Sequence, residues 1–326
     1  MIRNLVSIIT PCYNTGNLLP RLLDSILKQV YPYIEMFCID DGSTDDTHAV
    51  IESYKSQFTQ KGYVLHYVYQ PNSGQSVAIN KGLKLVNGEY LVWPDSDDWY
   101  STANAISKMV QVLKDSDDSV GMVRCLAEYV SEETLEINHK ISFVGKMELF
   151  EDCLFHQNGM WYCSGGYMCR MDDIDQNILK REIYTEKNAG QNWQLMLPLL
   201  YGKKCITINE YHYKILERTV SHSRGQYKTY EEQIVKLRTY ENTIISTLRR
   251  MPNIPNNQME DYVRDVKKKY LIERYYLSFY FGKSRESSII ETQLWQEFGF
   301  SIPWCKKVRL YLSRYFQTSK KLLCND

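Results

Sequence analysis

The chain lacks any excess of charge of one sign: 39 Lys and Arg are matched by 39 Asp and Glu among 326 residues. A balanced chain has no global field with which to gather nucleic acid, so electrostatic attraction must come from local clusters. No stretch reaches the roughly 18 apolar residues that span a bilayer. Met1-Ile2-Arg3-Asn4 leads straight into a strand-like run and leaves no room for a signal peptide. The expected location is the cytoplasm. The nine cysteines are an odd number, scattered and without a C-x-x-C pair, which reads as reduced thiols, several of them buried as small hydrophobes. Cys153, His156, Cys163 and Cys169 match no established zinc spacing. There is no G-x-G-x-x-G turn, which counts against a dinucleotide-binding dehydrogenase. There is no G-x-x-x-x-G-K-[ST] loop either, which counts against an ATP-hydrolysing machine. Internal repeats and low-complexity tracts are also missing.

What is present fits one medium-sized globular body, or one domain with an appendage, large enough to bury a core without staples. Val6-Ser7-Ile8-Ile9-Thr10 is a short apolar run that reads as a buried strand stopped by Pro11. Leu19, Leu22, Leu23, Ile26 and Leu27 then recur at helical spacing. A second strand, Ile34 to Ile39, runs into Asp40-Asp41-Gly42-Ser43, and a helix with Val50, Ile51, Tyr54 and Phe58 on one face follows. Tyr63 to Tyr69 reads as a strand and Ser76 to Val86 as a helix. Tyr90-Leu91-Val92-Trp93 breaks at Pro94 into Asp95-Ser96-Asp97-Asp98. Strand, helix, strand alternation implies a parallel sheet flanked by helices, with ligands beyond the carboxyl ends of its strands. From about Val120 the pattern is mixed. Pro252 and Pro255, with three asparagines nearby, read as a linker into a helical region rich in Lys and Tyr.

The two acidic clusters carry the chemistry. Three carboxylates within Asp95-Ser96-Asp97-Asp98 repel one another, and hard oxygen ligands suit Mg²⁺ or Mn²⁺, ions that also take diphosphate oxygens. The plain alternative is a solvated turn. In Asp40-Asp41-Gly42-Ser43-Thr44-Asp45, a strand-end carboxylate can accept hydrogen bonds from a base N–H or ribose hydroxyls, while Gly42 permits close backbone approach. The alternative is a helix cap with Ser43 and Asp46 in a capping box, and both readings can hold together.

Four ordered segments then carry a resemblance. Val6-Ser7-Ile8-Ile9-Thr10-Pro11-Cys12-Tyr13-Asn14, Ile39-Asp40-Asp41-Gly42-Ser43-Thr44-Asp45, the run from Asn72 to Gly82, and Gly88-Glu89-Tyr90 leading into Asp95-Ser96-Asp97-Asp98 resemble the family 2 glycosyltransferases, over roughly residues 4 to 225. The resemblance implies a GT-A fold: a Rossmann-like α/β architecture with a mostly parallel sheet. The glycosyltransferase domain would take 1–225 and a helical C-terminal region 226–326. It also implies a nucleotide diphosphate-sugar donor, usually UDP-linked, a divalent metal (Mn²⁺ or Mg²⁺) and inversion at the anomeric carbon. Carried over by position, Pro11 and Tyr13 line the base pocket, Asp41 binds the base and Asp40 supports the ribose side. Asp95, with Ser96 beside it, contacts the ribose or the metal's water shell. Asp97 ligates the metal with Asp98 alongside, and Gly74 and Asn80 shape a third wall. Many relatives carry Arg where this chain has Ile79, so one basic donor is missing.

The pattern breaks at the general base. Relatives place it in a Glu-Asp pair at a helix start, whereas Gly190-Gln191-Asn192-Trp193-Gln194 puts Asn192 where the aspartate is expected. The sequence is similar to a subset of capsule and surface-polysaccharide transferases. Three readings stay open: another carboxylate such as Glu186 or Asp172 serves; water or the diphosphate takes the proton; or turnover is weak or absent. Tyr213 to Ser223 resembles the segment that closes over the diphosphate, with Arg218 as a clamp on phosphate and His222 completing the metal shell or lying in a surface loop. Trp161, Tyr162 and Gly165-Gly166 fall where the acceptor side is built, with core packing as the alternative. From Pro303 onward basic and aromatic residues alternate, which suits either docking on the catalytic domain or peripheral membrane contact. The expectation is a transferase acting on a hydroxyl of a glycan or lipid-linked oligosaccharide, with no nucleic acid partner. The alternative is a sugar-nucleotide-binding partner subunit without turnover.

Overall fold

The computed structural model of the protein describes residues 1–143, 145–186, 188–218 and 227–307. Strand β1 (Ile2–Cys12) buries Val6, Ile8 and Ile9 completely, as expected of a strand paired on both sides within a covered sheet. It pairs in parallel with β2 (Ile34–Asp40) and with β4 (Gly88–Val92), and β3 (Val64–Tyr69) extends the parallel set beyond β2. The first strand does not stop at Pro11 as its sequence suggests. The Cys12 carbonyl accepts from Asp41 N at 2.8 Å, so residue 12 faces β2. By the two-residue strand period Pro11 faces the other way, where pairing with β4 has already ended at Ile8 opposite Val92. A missing N–H breaks no ladder there.

The second half of the sheet is mixed. Strands β5 (Trp99–Tyr100), β6 (Val120–Ser131), β8 (Tyr167–Arg170) and β9 (Lys204–Glu217) complete the order β3-β2-β1-β4-β8-β6-β9-β5, with β7 (Ile137–Lys140) against β6. Strand β8 runs antiparallel to both β4 and β6, while β6 and β9 are parallel. Helices α1 (Leu19–Leu27), α2 (Thr47–Lys61) and α3 (Gln75–Leu85) follow the first three strands, then α4 (Ala105–Lys114), α5 (Phe150–Phe155), α6 (Met171–Asn177) and α7 (Gln191–Leu200). The α1 stripe of Leu19, Leu22, Leu23 and Ile26 is buried, as its spacing predicts. Because β1, β2 and β4 are parallel, the loops that leave them depart from one rim, and both acidic clusters lie on it.

The cap expected for α2 is not formed. Asp46 makes no side-chain cap. Asp45 instead accepts from Thr47 N at 3.0 Å and from Gly16 N at 2.9 Å. Ser43 is drawn away because its hydroxyl accepts from Asn14 N at 2.9 Å. The loop after β2 is therefore stitched to the loop after β1 as well as to the first residue of its own helix.

Helices α8 (Tyr230–Leu248), α9 (Asn256–Tyr280) and α10 (Ser284–Phe298) form the C-terminal region. A Thr229–Glu232 capping box, unmarked in the sequence reading, starts α8. Ile244, Leu248, Val263 and Val266 join the main core. A smaller cluster of Leu271, Tyr275, Leu294 and Ile302 ties α10 to α9. Among the described residues no helix is long and apolar enough to cross a membrane. Of the basic arm, Trp304 is exposed and Lys307 pairs with Glu291; residues 308–326 lie outside the described residues.

Candidate active site

The rim is built from two stitched loops. Asn14 adopts a left-handed φ of 51° and its Oδ1 accepts from Thr44 N at 2.8 Å, while Thr15 N donates to Thr47 Oγ1 at 3.0 Å. This holds Tyr13 outward, 45% exposed, with Pro11 buried beneath. Asp40 and Asp41 are both buried, and both are working acceptors. Asp40 accepts from Ser43 N and from Tyr67 Oη, each at 2.8 Å. Asp41 accepts from Gln70 Nε2 at 2.7 Å and from the backbone N–H groups of Ser73 and Gly74, both at 2.8 Å. One carboxylate thus shapes the whole loop that enters α3. Gly42 has φ 82°, and a Cβ there would lie 2.7 Å from Asn72 N, so the two loops touch through a residue without a side chain.

The second cluster divides its labour. Asp95 Oδ1 accepts from Gln75 Nε2 at 3.1 Å and Gln191 Nε2 at 2.8 Å, and Oδ2 accepts from Ser164 Oγ at 2.9 Å. Gln75 and Gln191 are the first residues of α3 and α7, each preceded by a glycine at the cap, so two helix starts converge on one carboxylate. Burial, and then the neighbouring Asp97 charge, push the Asp95 carboxyl up to about 7 against the pull of these three donors. Asp97 is likewise raised by burial, with Arg218 opposing: Arg218 Nη1 stands 3.6 Å from Asp97 Oδ2 and its Nε 3.7 Å from Glu132 Oε1. Asp98 is buried and accepts from Leu216 N at 2.9 Å, which pins the acidic loop to β9. Ser96 is buried between them. Among the described residues no three His, Cys, Asp or Glu side chains are arranged to hold a metal alone. Asp95 and Asp97 nevertheless fit one. They are hard oxygen ligands whose repulsion a divalent cation relieves, and such ions complete their shell with phosphate oxygens and water.

Several sequence expectations change here. Asn80 is engaged with the loop before α7: its Nδ2 donates to Ile183 O at 3.0 Å and its Oδ1 accepts from Ile183 N at 2.8 Å. Ile79 is fully buried, and no basic group stands in its place. Asp172 is at the wrong end of the sheet. Strand β8 pairs antiparallel to β4, with Arg170 opposite Tyr90, so α6 begins beyond the amino end of β4 and away from the rim. Glu186 is exposed on the loop leading to α7, where its carboxylate accepts from Tyr184 Oη at 2.5 Å and its carbonyl from Ala189 N at 2.9 Å. Asn192 sits in the first turn of α7 with Oδ1 buried and unpartnered. Trp161 is packed, not presented: it is buried, with the Arg124 guanidinium 3.5 Å from its ring centroid. A Cβ at Gly165 would collide with the Tyr213 ring, and one at Gly166 with Cys163 Sγ at 2.7 Å, so these glycines serve close packing. Tyr162 Oη accepts from Trp193 Nε1 at 3.0 Å and holds α7 from behind. His222 lies outside the described residues.

Sequence reasoning passed over Gln75, Gln191, Ser164 and Glu132. The repeated Gly-Gln at 74–75 and 190–191, each opening an apolar helix, was the available signal.

The sequence model described as Glycosyl transferase family 2 matches residues 7–178. An uncharacterized glycosyltransferase of Rickettsia typhi is 35% identical over 140 residues, 43% of this chain and 40% of that protein. The glycosyltransferase GlyG of Streptococcus pneumoniae is 35% identical over 116 residues, 36% of this chain and 37% of that protein. The putative teichuronic acid biosynthesis glycosyltransferase TuaG of Bacillus subtilis is 40% identical over 95 residues, 29% of this chain and 36% of that protein. The chain thus spans between about a seventh and two fifths of the length of the curated relatives it matches. Among solved structures, S. aureus TarS in complex with UDP-GlcNAc superposes with TM-score 0.63 at 15% identity, covering 90% of this chain and 81% of that one. The mannosyltransferase PcManGT of Pyrobaculum calidifontis, in complex with GDP-Man and Mn²⁺, superposes with TM-score 0.57 at 15% identity, covering 96% of this chain and 80% of that one. The fold is that of the GT-A glycosyltransferases.

Proposed function

We propose a function from the premise that this chain belongs to glycosyl transferase family 2, whose sequence model matches more than half of it. It moves a sugar, with inversion, from a nucleotide diphosphate-sugar (UDP-linked by preference) to a hydroxyl of a surface glycan or its lipid-linked precursor. The observation that carries this reading is the shared rim, where the carboxylate-rich loops after β2 and β4 lie on one edge of a parallel sheet with Arg218 beside Asp97.

Each part has a task in this reading. The exposed Tyr13 ring offers a face for a pyrimidine to stack on. Asp41 already accepts three hydrogen bonds, which leaves one of a carboxylate's roughly four lone-pair positions for a base N–H. A divalent ion held by Asp97 with Asp95 would supply Lewis-acid stabilisation of the departing diphosphate. Arg218, a planar fork next to Asp97, clamps the same oxygens. The acceptor oxygen forms its bond to the anomeric carbon as the carbon–phosphate-oxygen bond breaks. The electron pair leaves on the diphosphate, and the hydroxyl proton passes to a base. With Asp172 at the far end of the sheet, Glu186 is the carboxylate we assign to that proton. UDP release from a panel of UDP-sugars with Mn²⁺, with and without acceptor, tests the reading. Absence of donor binding by calorimetry would sink it, as would an Asp97→Ala variant with unchanged affinity and metal dependence.

A second reading rests on α7, whose first turn carries no acidic residue. An amide at Asn192 takes no proton at neutral pH, and a donor-binding partner subunit without turnover would have no need of a base there. Tight donor binding with no transfer across a broad acceptor panel would select it.

A further inference from the structure

A cavity of about 220 Å³ opens between residues 178–183, α7 and α8, and none of the rim aspartates lines it. Its floor is apolar, formed by the buried Ile178, Ile183 and Pro198. Its mouth carries the exposed Lys180, Glu182 and Arg250. The chain bends sharply here, because Lys180 and Arg181 take successive left-handed φ angles of 57° and 54°. Arg181 is tied down outside the cavity: its Nη1 donates to Leu83 O at 3.1 Å and Val86 O at 3.2 Å, and its Nη2 meets Asp175 Oδ2 at 2.9 Å. Lys180 is left at the mouth. Glu182 is already taken by Lys84 Nζ at 2.5 Å, and Lys180 adds only a more distant pull on it. Among the described residues neither Lys180 nor Arg250 forms an ion pair with a carboxylate. Arg250 Nη1 donates to Ser246 O at 3.4 Å, and its guanidinium carbon lies 5.1 Å from the Tyr184 ring centroid. Two cations without a counter-ion thus overlook one small space with an apolar floor.

We infer that this cavity is a second binding site, separate from the rim, for a single sugar ring that carries an oxyanion. It goes beyond the transferase reading and does not depend on it. The mouth selects the charge, since a carboxylate or phosphate takes charge-assisted hydrogen bonds from both Lys180 and Arg250. The floor selects the body, because the C–H face of a sugar ring removes Ile178, Ile183 and Pro198 from water. Pro198 contributes again inside α7. It lacks the N–H that would bond the carbonyl of Gln194, another residue of the wall, so a helix acceptor is released for a hydroxyl. Size sets the limit: the cavity is smaller than the roughly 300 Å³ at which sites for drug-sized ligands begin. A bare anion would leave the floor uncovered, and an apolar ligand would leave both cations unanswered. An occupant also bears on the loop before α7. Arg250 packs on Tyr184, and the Tyr184 hydroxyl donates to Glu186 at 2.5 Å.

The oxyanion can be the carboxylate of an acidic glycan unit or the phosphate of a phosphorylated sugar, and the experiment separates the two. Calorimetry on the full chain compares glucuronate and glucose 6-phosphate with glucose and inorganic phosphate, with and without UDP and Mg²⁺. At least one acidic sugar should bind about tenfold or more tightly than glucose and than inorganic phosphate, and the tighter of the two names the source. UDP should leave that affinity within about threefold. Lys180→Asn and Arg250→Gln should each lose about tenfold, the scale of one hydrogen bond to a charged group, while UDP affinity is kept. Asparagine tolerates the left-handed conformation of residue 180, and Arg250 is exposed, so both variants should fold. The site is overturned if glucose or inorganic phosphate binds as well as both acidic sugars, or if UDP displaces them. Variants that bind like the wild type overturn it too. A wild type that binds an acidic sugar but no UDP would uphold this site and fail the transferase reading alone.

Discussion

Arg218 Nη1 stands 3.6 Å from Asp97 Oδ2, so this carboxylate faces a cation of the protein's own. A metal ion must compete with it, and a diphosphate relieves the competition by taking the guanidinium. Metal and nucleotide should therefore bind with positive coupling. Arg218→Gln is expected to bind Mn²⁺ alone several-fold tighter and UDP in the presence of Mn²⁺ about tenfold more weakly, the scale of one charge-assisted contact. Electron paramagnetic resonance of free Mn²⁺ and calorimetry of UDP read the two effects; equal Mn²⁺ affinity in both proteins would remove the competition.

The Asp95 carboxyl gives this coupling a pH dependence. Its folded value is pushed to about 7 by burial and by Asp97, against 3.8 ordinarily. Between those values the folded chain holds a proton that the unfolded chain has released, so the ligand-free protein loses stability as pH rises through this window. A bound cation needs the ionised form, and its affinity should climb over the same range and level off above about 7. Denaturant midpoints and Mn²⁺ titrations from pH 5 to 8 check both slopes. Asp95→Asn should flatten them, and a wild-type Mn²⁺ affinity independent of pH would contradict the assignment.

Gly42 tests the stitching of the rim. A Cβ at this position meets Asn72 N at 2.7 Å on a backbone held at φ 82°. Gly42→Ala should cost about 1–3 kcal/mol in urea unfolding, the usual scale for a strained left-handed residue. It should also weaken UDP, because displacing residue 72 disturbs the loop that Asp41 organises.

Glu186 and Asp172 make a matched pair. If Glu186 takes the acceptor proton, Glu186→Gln should lower kcat by two to four orders of magnitude while donor affinity is kept. Asp172→Asn, at the opposite end of the sheet, should change neither. Equal kcat for Glu186→Gln and wild type would leave the proton to water or the diphosphate.

Much of this arrangement was legible in the residues. The runs Val6–Thr10, Ile34–Ile39 and Tyr90–Val92 are strands because strands covered on both faces leave long apolar signatures, and the second and third lead to the acidic loops after them. What was not legible depends on contacts across long sequence separations. Nothing near Asn80 says that its amide closes on Ile183, 103 residues away. Nothing near Gln191 says that it reaches Asp95 across 96 residues. For Trp161 the residues leave both a sugar platform and core packing open, because an aromatic beside glycines serves either. Arg124, on β6, decides for packing by covering its face. Pro11 misled for a simpler reason: which side of a strand a missing N–H faces is set by the neighbouring strands and not by the proline.

The hydrogen bond from Leu216 N to Asp98 joins two stretches with different histories of similarity, since the family match covers residues 7–178 and β9 lies beyond it. Anyone grafting the tail of one relative onto the nucleotide-binding half of another inherits a constraint that no motif records. The grafted strand must offer a backbone N–H opposite this aspartate, at the right register, or the loop that carries Asp95 and Asp97 arrives unfastened. Chimeras keeping that single register should retain donor binding even with foreign tails, while shifts by one residue should lose it.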